Sequence, residues 1–100
     1  MIITIISPLR FKSTIIDKYN ELSLQGHVVL LPVEGNLIDV DKETEDKLMF
    51  LHRQKIDLSD EVLVLNVGGY MGRGTYEEIG YATIKGKPIS YLVEIEKGEI

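Results

Sequence analysis

The chain is expected to fold as an α/β domain, for three reasons. Short apolar runs alternate with segments of helical spacing, in the order β-α-β-α-β-α-β. The run at residues 61–67 shows no polar alternation, the pattern of a strand covered on both faces. Pro8, Gly26, Pro32 and the Gly86-Lys87-Pro88 stop fall between the segments. Such alternation implies parallel strands joined by right-handed crossovers, with helices on both sides, hence a small three-layer, Rossmann-like or flavodoxin-like domain with a parallel sheet of about four strands.

Each element has a local cause. Residues 2–7 are rich in β-branched side chains and read as a buried strand. Residues 11–24 carry Phe11, Ile15, Ile16, Tyr19 and Leu22 at helical spacing, and Gly26 supplies a left-handed cap. Residues 27–31 form a second short strand, stopped by Pro32, and residues 33–40 a loop with the turn-prone Glu34-Gly35-Asn36. Asp41 is placed to cap a helix over residues 42–56, with Glu43 and Glu45 favourable in its first turns. The inward stripe of that helix holds Leu48, Met49, His52 and Ile56. After the third strand, residues 75–85 read as a helix and residues 89–93 as the last strand. Gly80 inside that helix costs up to about 1 kcal/mol relative to Ala, which close packing against the sheet would offset. Residues 94–100 are charged and are expected to fray.

Composition bounds the function. One hundred residues are expected to form a single domain, 1–100. Net charge is −5 and the cations form no stripe, so duplex nucleic acid and acidic membranes are poor partners. Isolated cations such as Arg10, Lys12 and Arg73 can still meet one small phosphate. No cysteine is present, which excludes a thiolate metal site or a cysteine nucleophile. No cluster of carboxylates and histidines has metal-ligand spacing, so neither a metal nor another cofactor is expected. The apolar start is far short of the ~20 residues that span a bilayer, and a cytoplasmic location is the expectation.

In open parallel sheets, ligands sit beyond the carboxyl ends of the strands. The richest rim segment is Gly68-Gly69-Tyr70-Met71-Gly72-Arg73-Gly74, followed by Thr75, Glu77 and Glu78. Its spacing matches neither a dinucleotide fingerprint nor a phosphate-binding P-loop. Its glycines let backbone approach a ligand, and the helix start at Gly74 and Thr75 favours an anion. The alternative is a plain β-to-α connection. Glu77 and Glu78 both suit the helix dipole, but Glu78 shares its stripe with the small residues Thr75 and Ala82, leaving space beside the carboxylate. Asn66, polar at the end of an apolar strand, either caps a rim loop or reaches ligand. Tyr70 and Met71 either stack on a base or cover the third strand.

These residues carry a resemblance. Asp60 before an apolar strand, then Gly74-Thr75-x-x-Glu78-Ile79-Gly80-Tyr81-Ala82 and Gly86-Lys87-Pro88, resembles the nucleoside 2-deoxyribosyltransferase family and the related 2′-deoxynucleoside 5′-monophosphate N-glycosidases. The resemblance is good over residues 55–92 and holds elsewhere in element order. It implies an N-glycosyl bond hydrolase or transferase acting on (deoxy)nucleosides or their 5′-monophosphates, with Glu78 as nucleophile. The family's proton donor, an Asp, falls at His52, which either serves as general acid or is a structural histidine. A family carboxylate falls at Gly72. Ser7 falls where the family contacts ligand, and with Arg10 it could hold a 5′-phosphate; otherwise Arg10 is a solvated cation. Family sites are often completed by a neighbouring subunit, which implies a homodimer or larger assembly through the apolar faces of the first two helices. The rival expectation is a non-catalytic nucleotide or nucleotide-sugar binding module; a third is an accessory protein whose sheet serves only assembly.

Overall fold

A computed structural model describes residues 1–32 and 41–93. Four strands, β1 (Ile2–Ile6), β2 (Val28–Leu30), β3 (Glu61–Val64) and β4 (Ile89–Tyr91), form one sheet in the order β2-β1-β3-β4. All pairings are parallel: Ile3 of β1 faces Val29 on one side and Glu61 on the other, and Val62 faces Ile89. The chain first steps outward from β1 to β2, then returns past β1 to β3. With right-handed crossovers that reversal places the first helix on one face and the next two on the other.

The packing follows. Ile5 and Leu65 pack with Ile15 of helix α1 (Lys12–Leu24) on one face. Ile6, Val62 and Val64 pack with Ile56 of helix α2 (Lys42–Leu58) and Ala82 of helix α3 (Arg73–Ile84) on the other. The strand β1 is apolar at successive positions because both its faces are covered. Its one polar interior residue, Thr4, is satisfied by donating from Oγ1 to the Lys55 carbonyl at 3.0 Å.

Helix ends behave as their local chemistry dictates. Asp41 accepts from the Thr44 N–H at 2.8 Å and starts α2. Lys87 Nζ donates to the carbonyls of Asp57 and Ser59 at 3.1 and 2.9 Å, satisfying groups that the end of α2 leaves open. Gly26 (φ 92°) and Gly86 (φ 71°) follow α1 and α3 in the left-handed conformation.

Several expectations are corrected. The strand β3 ends at Val64 rather than at residue 67, although the Leu65 N–H still donates to Ile6 at 2.9 Å. Gly68 (φ 63°) and Gly69 (φ 83°) then turn the chain within a short 3₁₀ segment, Val67–Gly69. Helix α3 begins at Arg73, with extended Gly72 before it, so Gly74 lies inside the first helical turn. A Cβ on Gly80 would meet nothing within 4 Å, so close packing against the sheet is not its role. Ile16 and Tyr19 of α1 are exposed, because the sheet receives only the Ile15 side of that helix. The expected Glu34-Gly35-Asn36 turn and the charged tail lie outside the described residues. No helix among the described residues is long and apolar enough to cross a membrane.

Candidate active site

Helices α2 and α3 each return from the carboxyl rim of the parallel sheet and lie side by side on one face. Their adjacent stripes bring together two residues far apart in sequence. His52 Nε2 lies 2.7 Å from Glu78 Oε2. The His52 side chain is 2% exposed and that of Glu78 15% exposed, so of the two only Glu78 retains access to solvent. The two groups are in close contact without an aligned hydrogen bond, and Nδ1 has no partner. Thr75 and Ala82, the small residues on the Glu78 stripe, are both buried. The place beside the carboxylate is thus occupied by the imidazole.

A groove of about 760 Å³ runs over the seam of the two helices, lined by Met49, Phe50, Arg53, Arg73, Gly74 and Glu77 among others. Neither His52 nor Glu78 lines it, although its residues flank both in sequence. Its charges are largely self-compensated: Lys42 contacts Asp46 at 3.1 Å, and Arg73 approaches Glu77 at 3.5 Å.

At the rim the expected ligand residues divide. Arg10, Tyr70 and Gly72 come together: the Arg10 Nη2 donates to the Tyr70 hydroxyl at 2.9 Å, and its guanidinium lies 4.1 Å from the ring centroid. Phe11 meets the same ring edge-on at 6.0 Å. Tyr70 thus folds onto the first rim loop, and its hydroxyl lies 3.8 Å from where a Gly72 Cβ would stand. Met71 packs against the buried cluster beneath α2 and α3, covering the core. The Ser7 hydroxyl has two carbonyl acceptors for its one proton, Pro8 at 3.0 Å and Leu65 at 3.3 Å. Asn66 is bound at both ends of its amide to the backbone of Val93, so it clasps the chain beyond β4 rather than facing a ligand. Gly68 and Gly69 are exposed, and their positive φ values serve the turn itself. Gly74 is exposed and Thr75 buried at the start of α3. Among the described residues no group of three acidic, histidine or cysteine side chains could hold a metal ion.

One linkage had no signal in the sequence. The Tyr81 hydroxyl donates to Asp57 Oδ1 at 2.8 Å, and the Arg53 guanidinium lies 5.3 Å from the centroid of the Tyr81 ring. Tyr81 thereby ties α3 to α2 a second time, besides the His52–Glu78 contact.

A parallel β2-β1-β3-β4 sheet with one helix on one face and two on the other defines a Rossmann-like α/β domain. More particularly, the chain has a nucleoside 2-deoxyribosyltransferase-like fold. It is similar to the solved 2-deoxyribosyltransferase of the psychrotolerant bacterium Bacillus psychrosaccharolyticus, with a TM-score of 0.73 and 20% sequence identity, over 96% of this chain and 77% of that one. No protein-family model matches the chain. No curated protein matches it either.

Proposed function

We propose that this protein cleaves the N-glycosyl bond of a small (deoxy)nucleoside or nucleoside 5′-monophosphate, with Glu78 as nucleophile. The observation that carries the reading is the partly accessible Glu78 side chain, beside buried His52, on the helix that follows β3. The named neighbour is a 2-deoxyribosyltransferase, which supports nucleoside chemistry on this scaffold. In the first step a Glu78 oxygen bonds to the anomeric carbon while the C–N bond breaks and its electron pair leaves with the base. In the second step water or another base attacks the same carbon and the carboxylate departs. A carboxylate suits this role because it stabilises oxocarbenium-like charge and divides one hard displacement into two easier ones.

Of the two roles open to His52, general acid and structural histidine, its burial weighs against the first. An acid must lie within hydrogen-bond reach of the leaving base, and both ring nitrogens of His52 are covered. The base takes its proton instead from water or a group at the rim.

Arg10, stacked on Tyr70, is the residue through which a 5′-phosphate would be held. Exposed apolar side chains on α1 (Ile16, Tyr19) and α2 (Phe50, Leu51) support a homodimer or larger assembly; a monomer by light scattering at micromolar concentration removes that part of the proposal. A binding module without turnover is the second reading, favoured by a groove that neither His52 nor Glu78 lines.

Base release from a panel of deoxynucleosides and their 5′-monophosphates, followed by chromatography, separates the two. Release by the wild type that Glu78→Ala abolishes supports the enzyme. No release, with ligand still raising the unfolding temperature, supports the binding module.

A further inference from the structure

We infer that His52 is a positioning residue for Glu78, holding Oε2 so that Oε1 is the oxygen presented to the anomeric carbon; this rests on the reading of Glu78 as nucleophile. Three observations lead there. The imidazole is almost wholly buried, so it reaches a ligand only through the carboxylate. A histidine that serves only the core normally satisfies its ring nitrogens with backbone or side-chain partners, yet neither ring nitrogen here has a hydrogen-bond partner and the Glu78 carboxylate is what Nε2 meets, at 2.7 Å. The protonation pattern is also constrained. A proton on Nδ1 alone would turn the Nε2 lone pair toward a carboxylate and bury an N–H with no acceptor. The proton therefore sits on Nε2, facing the Glu78 carboxylate.

The consequence is unequal for the two steps. While the glycosyl–enzyme forms, the N–H fixes the carboxylate but also draws charge from it. While the intermediate breaks, water oxygen bonds to the anomeric carbon, the bond to Oε1 breaks, and its electron pair returns to the carboxylate as water gives a proton to solvent. There Nε2–H stabilises the departing group. His52 thus speeds breakdown of the intermediate more than its formation.

The test compares wild type, Glu78→Ala, His52→Phe and His52→Gln by base release, by intact mass during turnover, and by thermal unfolding. His52→Phe keeps a ring of similar volume without the donor, whereas His52→Gln restores an N–H near the Nε2 position. Expected are a fall in kcat of about 10- to 100-fold in His52→Phe, the scale of a misplaced reacting group, with KM changed much less. A sugar adduct should accumulate on that variant, and His52→Gln should recover most of the rate. A His52→Phe enzyme with wild-type kcat and no adduct overturns the inference while leaving Glu78 as nucleophile. No base release by the wild type overturns both. Nitrogen NMR of the wild-type ring decides independently of turnover and of how the variants fold: a protonated Nε2 is expected, and an unprotonated Nε2 overturns the inference.

Discussion

Asn66 holds Val93 by both ends of its amide: Nδ2 donates to the Val93 carbonyl at 2.8 Å, and Oδ1 accepts from the Val93 N–H at 2.9 Å. A side chain two residues beyond β3 thereby continues the sheet pairing past β4, where the Leu92 N–H has already bonded to Val64 at 2.9 Å. Asn66 is 1% exposed, and its removal takes both hydrogen bonds from the Val93 backbone. Asn66→Ala is expected to destabilise the fold by about 1–3 kcal/mol, read from the urea midpoint. Asn66→Asp keeps the acceptor but turns a carboxylate toward the Val93 carbonyl, and should be no more stable than Asn66→Ala at neutral pH. An unchanged midpoint in both variants would contradict the clasp.

Tyr81 reports the second tie between α2 and α3. Its hydrogen bond to Asp57 holds the phenol above its ordinary ionisation range, with desolvation adding to the effect. A raised folded value means that the contribution to stability is complete below the unfolded pKa of about 10 and is lost as pH rises through the folded value. Asp57→Asn should bring tyrosinate absorbance in at lower pH than in the wild type. Tyr81→Phe should remove the alkaline loss attributable to this residue. A titration unmoved by Asp57→Asn would refute the link.

Asp41 makes the opposite prediction at acid pH. The Thr44 side chain and then the Thr44 N–H hold its carboxyl below the ordinary range. A depressed folded value contributes stability above the unfolded pKa of about 3.9, and that contribution disappears as pH falls through the folded value. Asp41→Ala should therefore unfold at lower temperature than the wild type at neutral pH. The gap should close in strong acid, and a gap independent of pH would show that the cap does not act through the charged carboxylate.

Arg10 separates phosphate binding from sugar chemistry. Its guanidinium is preorganised by Tyr70 on an exposed rim. Arg10→Ala is expected to raise the KM for a 5′-monophosphate about tenfold, the scale of one charge-assisted contact, with little change for the unphosphorylated nucleoside. Equal effects on both substrates would mean that Arg10 supports the loop rather than the ligand.

The order of strands and helices, the parallel sheet and the caps at Asp41 and Gly26 were determined by the sequence alone. Strand and helix periodicity, a capping carboxylate and a positive-φ glycine act between residues only a few positions apart. The helical identity of Glu78 and His52 and the inward placement of His52 were legible for the same reason, and so was the glycine-rich turn after β3. Only the tertiary structure decided what these side chains meet. The stripe of α1 divides into buried Ile15 and exposed Ile16 and Tyr19 because the sheet offers that helix a narrow face. The shorter β3, the withdrawal of Asn66 to Val93, the folding of Tyr70 onto Arg10 and the closure of His52 on Glu78 join residues that are distant in the chain. Their energies depend on distance and burial, which spacing along one strand or helix does not encode until the crossovers place α2 beside α3 and the first rim loop beside the third.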